Sequence, residues 1–310
     1  IDTLLDFLVR YPVLPILFFV LCTICSIPIV ILLIATQGIP LHPNCRYLIS
    51  FWCISLLGVL SNTITLYAEM LFYDKGFAPL GIIDPPMRPY FLAIHSVLYA
   101  SSSCFEMLLA VDCILSTQQP HVYHLSGVKY STLVPLTIFV YIIGFFIGYV
   151  IYLSGYHVFG LMIYNAIDLS TLMVNSFGIF YCKKQYESLY GKASLNARYQ
   201  VNEAYEMARA MHPVYFGSFL LKVLGMMIAY TYVLMMDHFD GPIYALLDAG
   251  YFTAHSFNCA FSSSFLIFLH KPICKSVKDL FGSKTMQEAP IVTVESNTSE
   301  TTQKYFSMLE

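Results

Sequence analysis

Seven stretches of this 310-residue chain are long and apolar enough to cross a lipid bilayer as helices. About 20 residues at 1.5 Å each span a hydrocarbon core of roughly 30 Å, and backbone groups in lipid must be hydrogen-bonded within the segment. The sequence therefore predicts an all-α membrane protein built as a seven-transmembrane helix bundle. The predicted spans are 13–36, 47–71, 90–115, 133–153, 158–182, 213–236 and 244–269.

The composition excludes several other classes of protein. Hydrophobic residues make up 57% of the chain and charged residues only 11%, against roughly 25% charged in an ordinary soluble domain. The 24 Phe and 24 Tyr exclude a chain that is disordered throughout, because such chains lack aromatic residues. A net charge of −3 gives no basic surface for nucleic acid, so no nucleic-acid partner is expected.

The distribution of Lys and Arg predicts the orientation in the membrane. If the N-terminus is outside, 12 of the 16 basic residues lie on the cytoplasmic side, 3 lie outside and Lys222 lies within a span. Cytoplasmic loops carry the excess of Lys and Arg in membrane proteins, so the N-terminus is predicted to be outside.

The segments outside the spans divide into helical extensions and a tail. Charged and apolar residues alternate between Arg198 and Met211, which predicts a cytoplasmic extension of helix six, with a kink or restart at Pro213. Apolar residues interleaved with lysines over 271–281 predict a short amphipathic helix on the membrane surface. The polar segment 282–310 is expected to be a disordered cytoplasmic tail, so that residues 1–281 form the transmembrane domain.

Three short motifs carry a family resemblance. Residues 195–203, Leu-Asn-Ala-Arg-Tyr-Gln-Val-Asn-Glu, resemble the signature before helix six of nematode serpentine chemoreceptors of the Sra superfamily. Residues 42–46 resemble the His-x-Asn motif before their second helix, and residues 111–117 resemble the stretch that closes their third helix. In that third motif Asp112, Cys113 and Ser116 stand where the family has Glu, Arg and Ala. The chain is most similar to class e, with the related classes a, ab and b as alternatives.

The resemblance implies a G-protein-coupled receptor for a small odorant or pheromone, in the plasma membrane of sensory-neuron cilia. A heterotrimeric G protein would then contact the third inner loop and the start of helix six. The residues expected to face it are Lys183, Lys184, Arg198, Tyr199, Gln200, Glu203 and Arg209. Basic residues at this position also bind anionic lipid headgroups, and this alternative explains the same charges.

Polar and aromatic residues in the outer half of the spans predict a small-molecule pocket. They are His95, Tyr99 and Ser102 on span three, Asn165 and Asp168 on span five, Met227 and Tyr230 on span six, and Asp248, Tyr251 and His255 on span seven. Hydrogen bonding between helices is the alternative use of such residues. An ionised Asp168 or Asp248 would favour an amine ligand, whereas a protonated one would favour a neutral odorant.

Two ionisable residues lie at matching depth. Glu106 and Lys222 are each nine residues, about 14 Å, from the inner ends of helices three and six. A Glu106–Lys222 pair would join two helices whose separation opens a receptor on its inner side, and Asp112 at the inner end of helix three belongs to the same switch hypothesis. In the alternative, Lys222 reaches towards the interface or bonds backbone carbonyls, and Glu106 is protonated.

The sequence gives no support to an enzyme. Span seven has no Lys for a retinal Schiff base, the chain has no Gly-x-Ser-x-Gly motif, and its His residues are scattered in depth. No cofactor or metal is expected. A transporter or ion channel that uses Glu106, Asp168 and Lys222 remains the alternative function, although no internal repeat is visible.

Overall fold

The computed structural model describes residues 13–39, 41–72, 88–118, 120, 130–189, 195–235 and 241–282. Within these residues it contains eight helices, which we number in chain order. They are α1 (Val13–Gln37), α2 (Pro43–Phe72), α3 (Arg88–Gln118), α4 (Tyr130–Tyr152), α5 (His157–Leu189), α6 (Leu195–Leu234), α7 (Gly241–Leu269) and α8 (Lys271–Phe281). The first seven have the length and hydropathy of membrane spans. The seven-helix bundle and the short eighth helix predicted from the sequence are thereby confirmed, and the chain is a multi-pass membrane protein.

The seven long helices pack as a closed ring in chain order, from α1 to α7 and back to α1. Helix α3 also crosses the interior to contact α5 and α6, which makes it the central helix. Large apolar side chains on α4, among them Phe139, Ile142 and Phe145, point away from the bundle and are more than half exposed. An exposed apolar surface of this kind fits contact with lipid.

Two glycines allow α3 and α4 to approach closely. A Cβ atom on Gly144 would lie 2.6 Å from the carbonyl oxygen of Val97, and one on Gly148 would lie 2.8 Å from that of Ala93. Small residues spaced by four bring membrane helices into backbone contact, so this pair fixes α4 against α3. Gly155 has a φ of 80° in the turn between α4 and α5, a conformation that glycine adopts without strain.

Several helices extend beyond the apolar runs. Helix α5 continues to Leu189 rather than ending at 182, and α6 begins at Leu195 and runs for 40 residues, about 60 Å. Pro213 lies inside α6 without ending it. Polar side chains suit a helix in water, so hydropathy alone marks where the membrane ends and not where the helix ends.

We call the end of the bundle that carries Arg46, Lys183, Lys184, Arg198 and α8 the basic end, and the other the opposite end. Helix α8 packs on α1 and α7, with Ile273 buried and the Ser276 hydroxyl donating to the Ala35 carbonyl at 3.1 Å. The predicted bounds of this helix, 271–281, are confirmed. The segment 282–310, which is predicted to be disordered, lies outside the described residues except for Gly282. Six basic residues also lie outside them: Arg10, Lys75, Lys129, Lys192, Lys284 and Lys304.

Candidate functional site

The middle of the bundle holds three charged side chains in direct contact. The Lys222 ammonium donates to Glu106 Oε2 at 2.9 Å, to Asp168 Oδ1 at 2.9 Å and to the Ser103 hydroxyl at 2.7 Å. These three contacts use all three ammonium hydrogens. The charged side chains are only 2–3% exposed, and we call them, with Ser103, the central cluster.

Helical spacing brings the central cluster together from three helices. Ser103 and Glu106 are three residues apart on α3 and therefore share a face. That face meets Asp168 from α5 and Lys222 from α6, so the cluster ties α6 to both neighbours. Charges this deep are retained only when they are paired, because an unpaired charge in a membrane protein interior is expensive.

Three side chains that the sequence reasoning missed hold the central cluster in place. The Trp52 indole of α2 donates to Glu106 Oε1 at 3.3 Å, and the Tyr215 hydroxyl of α6 donates to the Glu106 carbonyl at 2.7 Å. The third is Ser103 itself, which was passed over for its neighbour Ser102. The hydroxyl of Ser102 instead donates to the carbonyl of Tyr99 at 2.7 Å, within its own helix. Nothing in the apolar spacing distinguishes these residues, because their use depends on how neighbouring helices are rotated.

A second set of buried side chains lies beside the central cluster. His95 Nε2 and His255 Nδ1 share a hydrogen bond of 2.9 Å, and the His255 ring stacks on Tyr99 with centroids 3.9 Å apart. Tyr164 stacks on the same Tyr99 ring at 5.7 Å, and Tyr251 lies 4.2 Å from His255. We call these five residues the aromatic cluster. Their rings contact one another directly, so side chains fill the region in which the sequence predicted an open aromatic cavity.

Two features position the aromatic cluster. A Cβ atom on Gly225 would lie 2.8 Å from His255 Nε2, so α6 makes room for the imidazole only because residue 225 is glycine. Asn258 of α7, another residue missed from the sequence, donates from Nδ2 to the Tyr99 hydroxyl at 2.8 Å. Tyr99 also connects the two clusters, because the Lys222 ammonium lies 5.6 Å from the centroid of its ring. That distance is within the range of a cation–π contact.

Of the remaining predicted pocket residues, some face the interior of the bundle and one does not. Asn165 Nδ2 donates to the Tyr230 hydroxyl at 3.1 Å and joins α5 to α6 in a half-buried position, and Asp248 is buried. Met227 is 63% exposed, so its predicted place in the pocket is wrong. One residue corresponds to a rotation of about 100°, and it is Met226 that points inward. Asp168 belongs to the central cluster with Glu106 and Lys222. The transporter alternative had grouped these three residues, whereas the pocket hypothesis had placed Asp168 apart from the other two.

At the basic end, a hydrogen bond joins the start of α2 to α6. The backbone N–H of His42 donates to Glu203 Oε1 at 2.7 Å, and His42 Nδ1 accepts the Asn44 N–H at 3.3 Å. His42 directly precedes Pro43, the first residue of α2, so the carboxylate lies at a helix N-terminus, where it is favoured. Two of the motifs that carried the family resemblance, 161 residues apart at this contact, therefore meet here.

Of the residues predicted to face a G protein, some are exposed at the basic end and others are not. Lys183, Lys184, Tyr199 and Arg209 are exposed, and Arg198 is half-buried. Gln200 is 2% exposed and Glu203 is bonded to His42, so neither side chain lies on the outer surface of the basic end. Helical rotation places them on the inner face of α6. They border a small cleft together with Asp112, which lies there and not in the central cluster.

The two clusters contain hydrogen-bonding and charged groups but no arrangement typical of a metal centre. Among the side chains that the structure describes, no group of three or more His, Cys, Asp or Glu is placed to hold a metal ion. The geometry instead provides a network that links α2, α3, α5, α6 and α7 in the membrane interior. Comparison of the chain with protein-family models and with curated proteins finds no match.

Proposed function

We propose that this chain is a chemosensory G-protein-coupled receptor in the plasma membrane of sensory-neuron cilia. It binds a small environmental molecule, an odorant or a pheromone, in the half of the bundle towards the opposite end. It then signals to a heterotrimeric G protein at the basic end, which faces the cytoplasm. The family and the cell type come from the resemblance of the motifs at residues 42–46, 111–117 and 195–203.

The observation that carries the proposal is the attachment of α6 to α3 and α5 through Lys222. One side chain of α6 makes three polar contacts with its neighbours. It also lies next to the Tyr99 ring, which belongs to the aromatic cluster. A ligand that rearranges the aromatic cluster therefore changes the surroundings of the Lys222 ammonium. A ligand can shift a two-state equilibrium only through its different affinities for the two states, and this junction supplies such a difference.

The exposed side chains at the basic end support the second half of the proposal. Lys183, Lys184, Tyr199 and Arg209 lie on the ends of α5 and α6 and are accessible to a cytoplasmic partner. Helix α6 extends well beyond the length needed to cross the bilayer, so its motion is carried into the cytoplasm. The same basic side chains would contact anionic headgroups of the membrane.

The direct test is a calcium-response screen against odorant and pheromone panels in cells that express the chain with a promiscuous G-protein α subunit. A response that disappears in cells without the chain is the expected result. The Lys222→Met variant should lose that response, while Lys275→Met on the exposed face of α8 serves as the matched control. Surface expression of each variant must be measured in parallel.

A transporter is the second candidate, because buried Glu106, Asp168 and Lys222 at mid-depth are also typical of an ion path. Purified chain in proteoliposomes separates the two functions. Ion-dependent flux without any G protein would replace the receptor proposal, and an agonist response without flux would support it.

A further inference from the structure

The central cluster has unequal numbers of positive and negative groups. Glu106 and Asp168 each bring one carboxylate, whereas Lys222 brings one ammonium. All three side chains are almost completely buried, in the middle of helices long enough to cross the membrane. An uncompensated charge is strongly unfavourable in this environment. The cluster therefore becomes neutral when one further positive charge is added.

The hydrogen bonds identify the atom that would receive this charge. Glu106 Oε2 accepts from Lys222 and Glu106 Oε1 accepts from Trp52. Asp168 Oδ1 accepts from Lys222, but Asp168 Oδ2 accepts no hydrogen bond from the described residues, although the residue is only 4% exposed. Buried carboxylate oxygens are normally hydrogen-bonded, so this oxygen marks the acceptor that the cluster itself leaves unused.

The surroundings of Asp168 favour an organic cation. Tyr164 is four residues before Asp168 on α5 and so lies one turn above it on the same face. The Tyr164 ring stacks on Tyr99, whose own ring lies near the Lys222 ammonium. Aromatic faces attract cations, most strongly where water is excluded. Two imidazole nitrogens of the adjoining aromatic cluster, His95 Nδ1 and His255 Nε2, also have no hydrogen-bond partner among the described residues.

We propose that Asp168 Oδ2 anchors the protonated amine of a small ligand with an aromatic or apolar body. Resting on the proposed function, this assigns the chemical class of the environmental molecule that the receptor detects. The amine donates to Oδ2 while Lys222 keeps Oδ1, so two cations then balance two carboxylates. Asp168 lies eleven residues, about 16 Å, from the first residue of α5. The body of the ligand enters between them by displacing rings of the aromatic cluster, because those rings otherwise fill this part of the bundle.

Binding can be measured without any signalling partner. The full chain, purified in lipid nanodiscs, is heated with matched pairs of compounds that share a carbon skeleton and differ only in amine or alcohol, such as 2-phenylethylamine and 2-phenylethanol. The expected result is that amines raise the apparent Tm with a saturable concentration dependence, while their alcohol partners do not. Alcohols that stabilise as well as amines, or a panel in which no amine stabilises, would overturn the proposal.

Variants then identify the anchoring atom. Asp168→Asn keeps the size of the side chain and an acceptor for Lys222, so the fold should be retained. It should raise the midpoint, which is the amine concentration that gives half of the maximal rise in apparent Tm, about tenfold or more. Glu106→Gln removes the same unit of charge but leaves Asp168 Oδ2 in place, and should raise the midpoint less. Asp279→Asn on the exposed face of α8 is the matched control and should leave it unchanged. If Asp168→Asn and Glu106→Gln raised the amine midpoint equally, the assignment to Oδ2 would be refuted.

The failure of this inference is distinguishable from failure of the proposed function. Amine-dependent stabilisation without any calcium response would keep the amine site and refute the receptor. A calcium response to neutral odorants, unaffected by Asp168→Asn, would keep the receptor and refute the amine site.

Discussion

Replacing Lys222 by Met removes the only ammonium of the central cluster and leaves two buried carboxylates without it. The flexible Met side chain fills a similar volume, so packing changes little. Removing one partner of a buried ion pair costs about 3–5 kcal/mol, because the remaining charge is uncompensated. At about 2–4 °C per kcal/mol for a chain of this order of size, the apparent Tm should fall by about 6 to 20 °C.

The same reasoning predicts a rescue. The triple variant Lys222→Met, Glu106→Gln, Asp168→Asn has no charge in the central cluster and should be more stable than Lys222→Met alone, because buried charges that are all neutralised together leave no uncompensated partner. Exchanging the charges of Glu106 and Lys222 should likewise restore surface expression that either reversal alone reduces.

The assay is thermal unfolding of the purified full chain in nanodiscs, followed by the exposure of buried cysteines to a thiol-reactive dye. Eight cysteines are buried in the described residues, so unfolding gives a strong signal. The control is Lys275→Met, an exposed position at which substitutions change stability by about 0.5 kcal/mol or less. A Tm for Lys222→Met equal to that of the control, or a triple variant no more stable than the single one, would refute the electrostatic argument.

Three further predictions concern other contacts. Gly225→Ala places a methyl group 2.8 Å from His255 Nε2 and should cost about 1–3 kcal/mol through overpacking, measured as a lower Tm. Glu203→Gln weakens the contact with the His42 N–H at the start of α2 and should cost about 0.3–2 kcal/mol by the same assay. Burial lowers the pKa of His270 to about 4 from an ordinary value near 6.5, so stability should fall as the pH drops from about 6.5 towards 4.

Each of these predictions has a matched control. The control for Gly225→Ala is Gly250→Ala, where the nearest atom to the new methyl group is Ile228 Cδ1 at an ordinary 3.5 Å. The control for Glu203→Gln is Glu206→Gln, because the partner of Glu206 is Arg209, a surface residue 3.9 Å away. For histidine it is the His270→Gln variant, which should lose the pH dependence in that window. A control that behaves like its test variant in any of the three would contradict the corresponding contact.

The sequence predicted the helices and the eighth helix because these depend on local composition. A continuous apolar run of 20 or more residues that crosses lipid forms a helix, because its backbone groups must be hydrogen-bonded within the segment. The lysines interleaved over 271–281 leave one apolar face, which contains Ile273. The helix ends were less predictable. Residues 183–189 and 195–212 are polar enough to leave the membrane but retain good helix propensity, so α5 and α6 continue through them.

The side-chain contacts were predictable only in part, because they depend on helix rotation. Matching depths suggested Glu106 opposite Lys222, and the two side chains are in contact in the structure. Depth says nothing about the direction in which a side chain points, so Met227 was chosen although Met226 faces inward. For the same reason Trp52 was missed, since its indole reaches Glu106 only through the packing of α2 on α3.

Two of the polar contacts of helix α6 lie far apart along it. Lys222 binds α3 and α5 in the interior, and Glu203 binds the start of α2 at the basic end, nineteen residues or about 28 Å away along one continuous helix. Pro213 removes one backbone hydrogen bond between the two contacts, but α6 continues through it as one helix. An outward movement of its basic end therefore strains both contacts together. Loosening either one must therefore lower the free energy needed to break the other, and by linkage the effect is reciprocal. A change at Lys222 should then make the Glu203 contact less costly to lose, and the stability losses of Lys222→Met and Glu203→Gln should combine to less than their sum.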